Sequence, residues 1–163
     1  MTIDDVRRVL VRELGTIAAE LEAYPDDASV WACPPGLPNA AGTLALHLVG
    51  NLRHFVGARL GGTGYVRDRA AEFATRGVSR ADLRAQVDAA VQEVGDALAR
   101  LAPARLDERF PEPIGGVHLS TGRFLQHLVA HTGYHLGQLD YHRRVVTGDA
   151  RGVGALPIAR LAD

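Results

Sequence analysis

The chemistry in this chain of 163 residues is concentrated in its histidines, four of which fall within the string HLVAHTGYHLGQLDYH at positions 127–142. His131 and His135 are four residues apart. On a helix, side chains at that spacing lie one above the other, about 6 Å apart, close enough for both imidazoles to reach one divalent ion. A third ligand must come from another element. His47 is the candidate, because it sits mid-stripe among Leu44, Leu48, Asn51 and Phe55 in LALHLVGNLRHFVG. Three neutral imidazoles suit Zn²⁺, Ni²⁺ or Fe²⁺ and leave positions open for water or a substrate. Histidines also cap helices and hydrogen-bond in cores. Burial favours the metal reading, since imidazoles on an inner face need partners and a facing His47 gives two of them a common one.

The other histidines are rivals or neighbours. His127 is one turn before His131, but a straight helix cannot aim three successive turns equally well at one ion. His54 stands about 10 Å along the axis from His47, and His142 about 10 Å past His135, which places both outside the ligand set. Asn51 and Gln138, each a turn from a ligand, are positioned to orient imidazoles or hold a water, and Tyr134 packs beside a ligand. His54 and His127 are expected to line the pocket. Arg67, Arg69 and Glu72 share a polar connection. If that segment covers the site, its arginines can bind a substrate carboxylate; otherwise it is a solvated loop with an internal ion pair. No buried glutamate is placed by the sequence as a general base.

The elements that must position these residues are helical. Ile3, Val6, Leu10, Leu14, Ile17 and Leu21 define a first helix from Thr2 to about Ala23. A second runs from Gly42 or Thr43 to Leu60. A third opens at Ser79-x-x-Asp82, like a capping box with a shortened acid, and carries Leu83, Val87, Val91, Val94, Leu98 and Leu101. A fourth runs from Ser120 or Thr121 to about Val146, with Gly148 beyond it. Trp31 is expected to pack the first connection onto the bundle. The connections 61–78 and 103–119 are longer than antiparallel neighbours require, and either could cross the bundle. The reading is one all-α domain over 1–163, a four-helix bundle with a core over about 2–148 and a surface extension over 149–163.

Composition excludes several alternatives. All 18 basic residues are arginine, 19 residues are acidic, and the formal net charge of -1 gives no basic stripe for nucleic acid. The lone Cys33 excludes an intramolecular disulfide and any cysteine-built zinc site. No apolar run reaches the length of a membrane span and no secretory leader is visible, so a cytoplasmic protein is expected. The H-E-x-x-H signature of zincins and the Glu-x-x-His pattern of diiron bundles are missing.

The strings LALHLVGNLRHFVG and HLVAHTGYHLGQLDYHRR, with the PPG loop and YVRDRAAEF, resemble the DinB/YfiT-like superfamily of four-helix-bundle metalloproteins. Leu136 stands where that pattern often has arginine. The resemblance implies His47, His131 and His135 as metal ligands, second and third helices that run parallel, and a frequent homodimer. It also implies a reaction class, since characterised relatives include metal-dependent thiol transferases and isomerases that use bacillithiol or mycothiol. The leading expectation is therefore a transferase in which a divalent metal activates a low-molecular-weight thiol against an electrophilic small molecule. The alternatives are a hydrolase using metal-bound hydroxide and a non-catalytic, metal-stabilised binding or stress-response dimer.

Overall fold

The computed structural model describes residues 2–154 and 157–162. Positions 1, 155, 156 and 163 of the expected domain and its extension lie outside the described residues. Four long helices make the bundle: α1 (Ile3–Glu22), α3 (Ala41–Leu52), α5 (Arg80–Ala99) and α6 (Thr121–Thr147). Two short helices, α2 (Asp27–Val30) and α4 (Arg69–Ala74), lie in connections.

The starts follow local capping. The Thr2 hydroxyl accepts from the Asp5 amide while the Asp5 carboxylate accepts from the Thr2 amide, a full capping box. At α5 only half of the box forms. Ser79 Oγ accepts from the Asp82 amide, but the Asp82 carboxylate takes the Ser79 hydroxyl instead of its backbone N–H. Ser120 caps α6, and Gly148, at φ +68°, ends it in the left-handed region that favours glycine. The second predicted helix reaches its expected end by a different path. After Leu52 the chain widens into a π-helical turn over Arg53–Ala58. Such turns re-aim the residues after them.

The contacts between helices fix the topology. Along α3 and α5, Gly57 meets Glu93 and Gly61 meets Ala97, while Arg53 pairs with Glu93 and Gly50 shares a cavity wall with Gln86. Both series ascend, so α3 and α5 run parallel. Glu22 pairs with Arg84 and Val11 touches Gly95, so α1 and α5 are antiparallel. Phe55 packs on Phe124 while His47 packs on His131 and His135, so α3 and α6 are antiparallel as well. The order is up, down, down, up.

That order gives the two long connections different work. Residues 61–78 must climb the whole bundle to return from the end of α3 to the start of α5. Residues 103–119 join helix ends on the same side and cross nothing. They fold locally instead, into a 3₁₀ turn over Pro103–Leu106 and a bridge between Ile114 and Val117.

The apolar stripes form one core. All six stripe residues of α1 are buried, with Leu44, Leu48 and Leu52 of α3, Leu83, Val87, Val94 and Leu98 of α5, and Phe124, Leu128 and Leu139 of α6. On α6 the fully buried line passes through Thr132 and Leu136, which leaves His131 and His135 half-buried on the side that meets α3. Trp31 packs against α3 where Gly42 leaves room, and its indole N–H donates to Val78 O at 2.9 Å. Buried Arg143 donates to Glu20 of α1 at 2.5 Å and to the carbonyls of Asp149 and Arg151, so the start of the extension is tied to the bundle.

Candidate metal centre

Helix α3 brings His47, 6% exposed, against His131 and His135 of α6. One ligand atom from each of the three lies within 4.8 Å of the others. His47 Nε2 and His131 Nε2 are 3.3 Å apart. Two nitrogens each about 2.0–2.1 Å from a tetrahedral ion are separated by about 3.3–3.4 Å, so this edge already has a zinc-like length. The donor set therefore fits a borderline divalent ion held by imidazole.

Two of the three rings are oriented from behind. His47 Nδ1–H donates to Glu72 Oε2 at 3.0 Å, which leaves the Nε2 lone pair facing the cluster. His135 Nδ1–H donates to Gln138 Oε1 at 2.7 Å, with the same consequence. Outer partners of this kind fix the tautomer and raise ligand basicity. His131 differs, because its buried Nδ1 has no partner among the described residues.

Glu72 reaches His47 because the climbing connection passes α3 at that height. Asp68 caps α4 by accepting from the Ala71 amide, and α4 turns Glu72 inward. Gly50, one turn past His47, makes the approach possible, since a β-carbon there would lie 2.1 Å from Glu72 Oε1. Arg67 closes the arrangement, donating to Oε1 at 2.6 Å and to Oε2 at 2.8 Å. Glu72 is thus a buried glutamate beside the cluster that the sequence did not place there, and both of its oxygens are engaged. Arg67 and Glu72 do pair, but as a buried pair clamped on His47 and not in a solvated loop.

The electrostatics keep the donors available. Burial, with help from the neighbouring His135 and His47, pushes His131 down to about 4. Burial also lowers His135, against the opposing effect of the hydrogen bond it donates to Gln138. Burial alone would raise the Glu72 carboxyl, but hydrogen bonds from Arg67 and His47 outweigh it and hold it below the usual carboxylate range. At neutral pH the cluster therefore offers lone pairs on His131 and His135 beside an ionised Glu72.

The remaining predicted residues are scattered more widely. Asn51 is buried, but its Oδ1 has no partner among the described residues and it makes no hydrogen bond to the three histidines. His127 is exposed and stacks on Phe124, with its ring 5.9 Å from that of His131. Tyr134 is 65% exposed and only touches the edge of His135. His54 turns away to Glu112 at 2.9 Å. Arg69 is exposed and lies over Phe73, whose ring is 5.0 Å from that of His47. His142 is buried apart from the cluster between Tyr24 and Ala32. Cys33 is exposed on the first connection and takes no part in the cluster.

Four long helices in this order, with imidazoles from two of them meeting mid-bundle, define a histidine-cluster helical bundle. The model of the DinB superfamily matches residues 9–139, which include all three histidines, and the chain belongs to that superfamily. No curated protein and no solved structure matches the chain.

Proposed function

We propose that this chain is a divalent-metal-dependent enzyme that transfers a low-molecular-weight thiol to an electrophilic small molecule. The observation that carries the reading is the convergence of His47, His131 and His135, two of them oriented from behind by Glu72 and Gln138. These three residues would hold Zn²⁺, Ni²⁺ or Fe²⁺. The ion would supply Lewis acidity, which makes a thiol reactive as thiolate at neutral pH. In the transfer a sulfur–carbon bond forms, the bond to the leaving group breaks, and the thiol proton passes to solvent.

The residues around the cluster divide the remaining work. Arg67 is committed to Glu72, so Arg69 is the arginine left to meet an anionic group on the substrate. Hydrolysis has weaker support, because both Glu72 oxygens are already engaged and it cannot easily serve as a base. A thiol, with an ordinary pKa near about 8.5, needs that help far less than water does. A homodimer belongs to the same proposal, supported by exposed Tyr134 and Val145 on the outward face of α6. So does a cytoplasmic setting, and no helix among the described residues is long and apolar enough to cross a membrane.

The test incubates metal-loaded protein with a small thiol and a panel of alkyl and aryl electrophiles, and follows loss of free thiol. Thiol consumed in step with the electrophile, and spared in His135→Ala, is the expected result. Turnover of the panel without thiol would replace this reading with hydrolysis. No turnover at all by metal-loaded protein would leave the non-catalytic dimer.

A further inference from the structure

Next to the histidine cluster, Leu37, Pro38, Leu44 and the ring of exposed Tyr141 line a half-open cavity of about 160 Å³. Because α3 and α6 are antiparallel, its place is fixed. Leu44 precedes His47 by three residues and Gln138, also in the wall, follows His135 by three, so the cavity lies about 5 Å along the bundle from the cluster. An apolar cavity of about 150 Å³ accepts benzene, so the space matches one ring or a branched alkyl group.

The wall is selective in its chemistry. Among the described residues no Asp, Glu or Arg lines it. His142 borders it but has no free ring nitrogen, with Nδ1 2.7 Å from the Tyr24 hydroxyl and Nε2 2.8 Å from Ala32 O. The polar side chains left are the amides of Asn39 and Gln138 and the phenol of Tyr141, and of these Gln138 is the one tied to the cluster. Gln138 spends its oxygen on His135, which leaves its amide N–H groups as donors.

We propose that this cavity is a specificity subsite for a neutral, ring-sized apolar group that carries a hydrogen-bond acceptor for Gln138. The inference deepens the metal-enzyme reading and rests on it for the ligand's reactive end. A group in the cavity touches the same side chain that orients His135, so what occupies the subsite is coupled to the metal centre.

The probe is para-fluorobenzamide, followed by fluorine NMR with the full-length protein in metal-free, Zn²⁺-loaded and Co²⁺-loaded forms. Saturable broadening with a Kd in about the millimolar range is expected of a ligand this small. Leu37→Trp, which fills the cavity from a loop, should raise Kd at least about tenfold, in keeping with loss of the apolar contact. Tyr141→Ala removes an exposed wall and should weaken binding in the same direction, which keeps the test intact if Leu37→Trp does not fold. Co²⁺ should enhance fluorine relaxation over Zn²⁺, and His131→Ala should abolish that enhancement while the probe still binds. Absence of saturable broadening, or an unchanged Kd in both cavity variants, overturns the subsite. Cavity-dependent binding without a cobalt effect supports the subsite's chemistry and overturns its link to the metal.

Discussion

At the scale of single residues, His47 carries the densest set of contacts in the cluster: His131 Nε2 ahead of it, Glu72 behind it and Arg67 behind Glu72. Glu72→Gln keeps the shape but removes the charge that makes His47 a better donor. Metal affinity should fall about 10–100-fold, the usual effect of losing an outer partner, as read by competition with a chromophoric chelator. The pH response follows from the lowered histidines. His131 and His135 sit below their ordinary 6.5 in the folded protein, so each resists a proton that the unfolded chain accepts. Their contribution is complete above 6.5 and is lost as pH falls from there toward about 4 for His131. Thermal unfolding of metal-free protein should therefore move to lower temperature between about pH 7 and pH 5, and a flat profile would contradict the assignment. The meeting of His47, His131 and His135 was legible in the sequence, because helical spacing pairs the last two and the place of His47 mid-stripe on α3 turns it toward them. Glu72 was not, since its meeting with His47 depends on the path of a connection that periodicity does not reveal.

At the scale of elements, the site is made where α4 is pressed against α3, and Gly50 permits that approach. Gly50→Ala isolates the effect. Replacing a helical glycine by alanine ordinarily stabilises by about 1 kcal/mol, yet here the new β-carbon collides with Glu72. The prediction is a loss of metal affinity without the usual gain in melting temperature. An increase in stability with unchanged affinity would show that Glu72 does not bear on the cluster. Gly42→Ala should act on the first connection in the same way, displacing the indole of Trp31, the protein's one tryptophan, with a red shift of its emission as water reaches the ring. The long helices were legible from their stripes and caps to within a few residues. The π-helical turn at Arg53–Ala58 was not, because its residues keep an ordinary helical pattern and the widening answers to packing against α5. Nor could composition show that α6 buries Thr132 and Leu136 more deeply than its histidines.

At the scale of the whole molecule, the parallel pair α3 and α5 requires a connection that climbs the bundle, and the climb carries Arg67 and Glu72 to mid-height on α3. Topology and site are thus one feature. Connection length alone pointed to a crossover but did not separate the stretch that crosses, 61–78, from the stretch that folds back on itself, 103–119. The outward face of α6 belongs to this scale too. Sedimentation equilibrium should find a dimer, and Tyr134→Glu, which puts a charge on that face, should shift it toward monomer without unfolding it; a monomeric parent would remove the dimer from the proposal. The central claim is that three imidazoles hold a divalent ion. It is tested most directly by elemental analysis of untagged protein never exposed to a metal column, with His131→Ala prepared in parallel. The account predicts about one equivalent of metal per chain in the parent and its loss in the variant. A parent that contains no metal and takes up none on addition of Zn²⁺, Ni²⁺ or Fe²⁺ would contradict it.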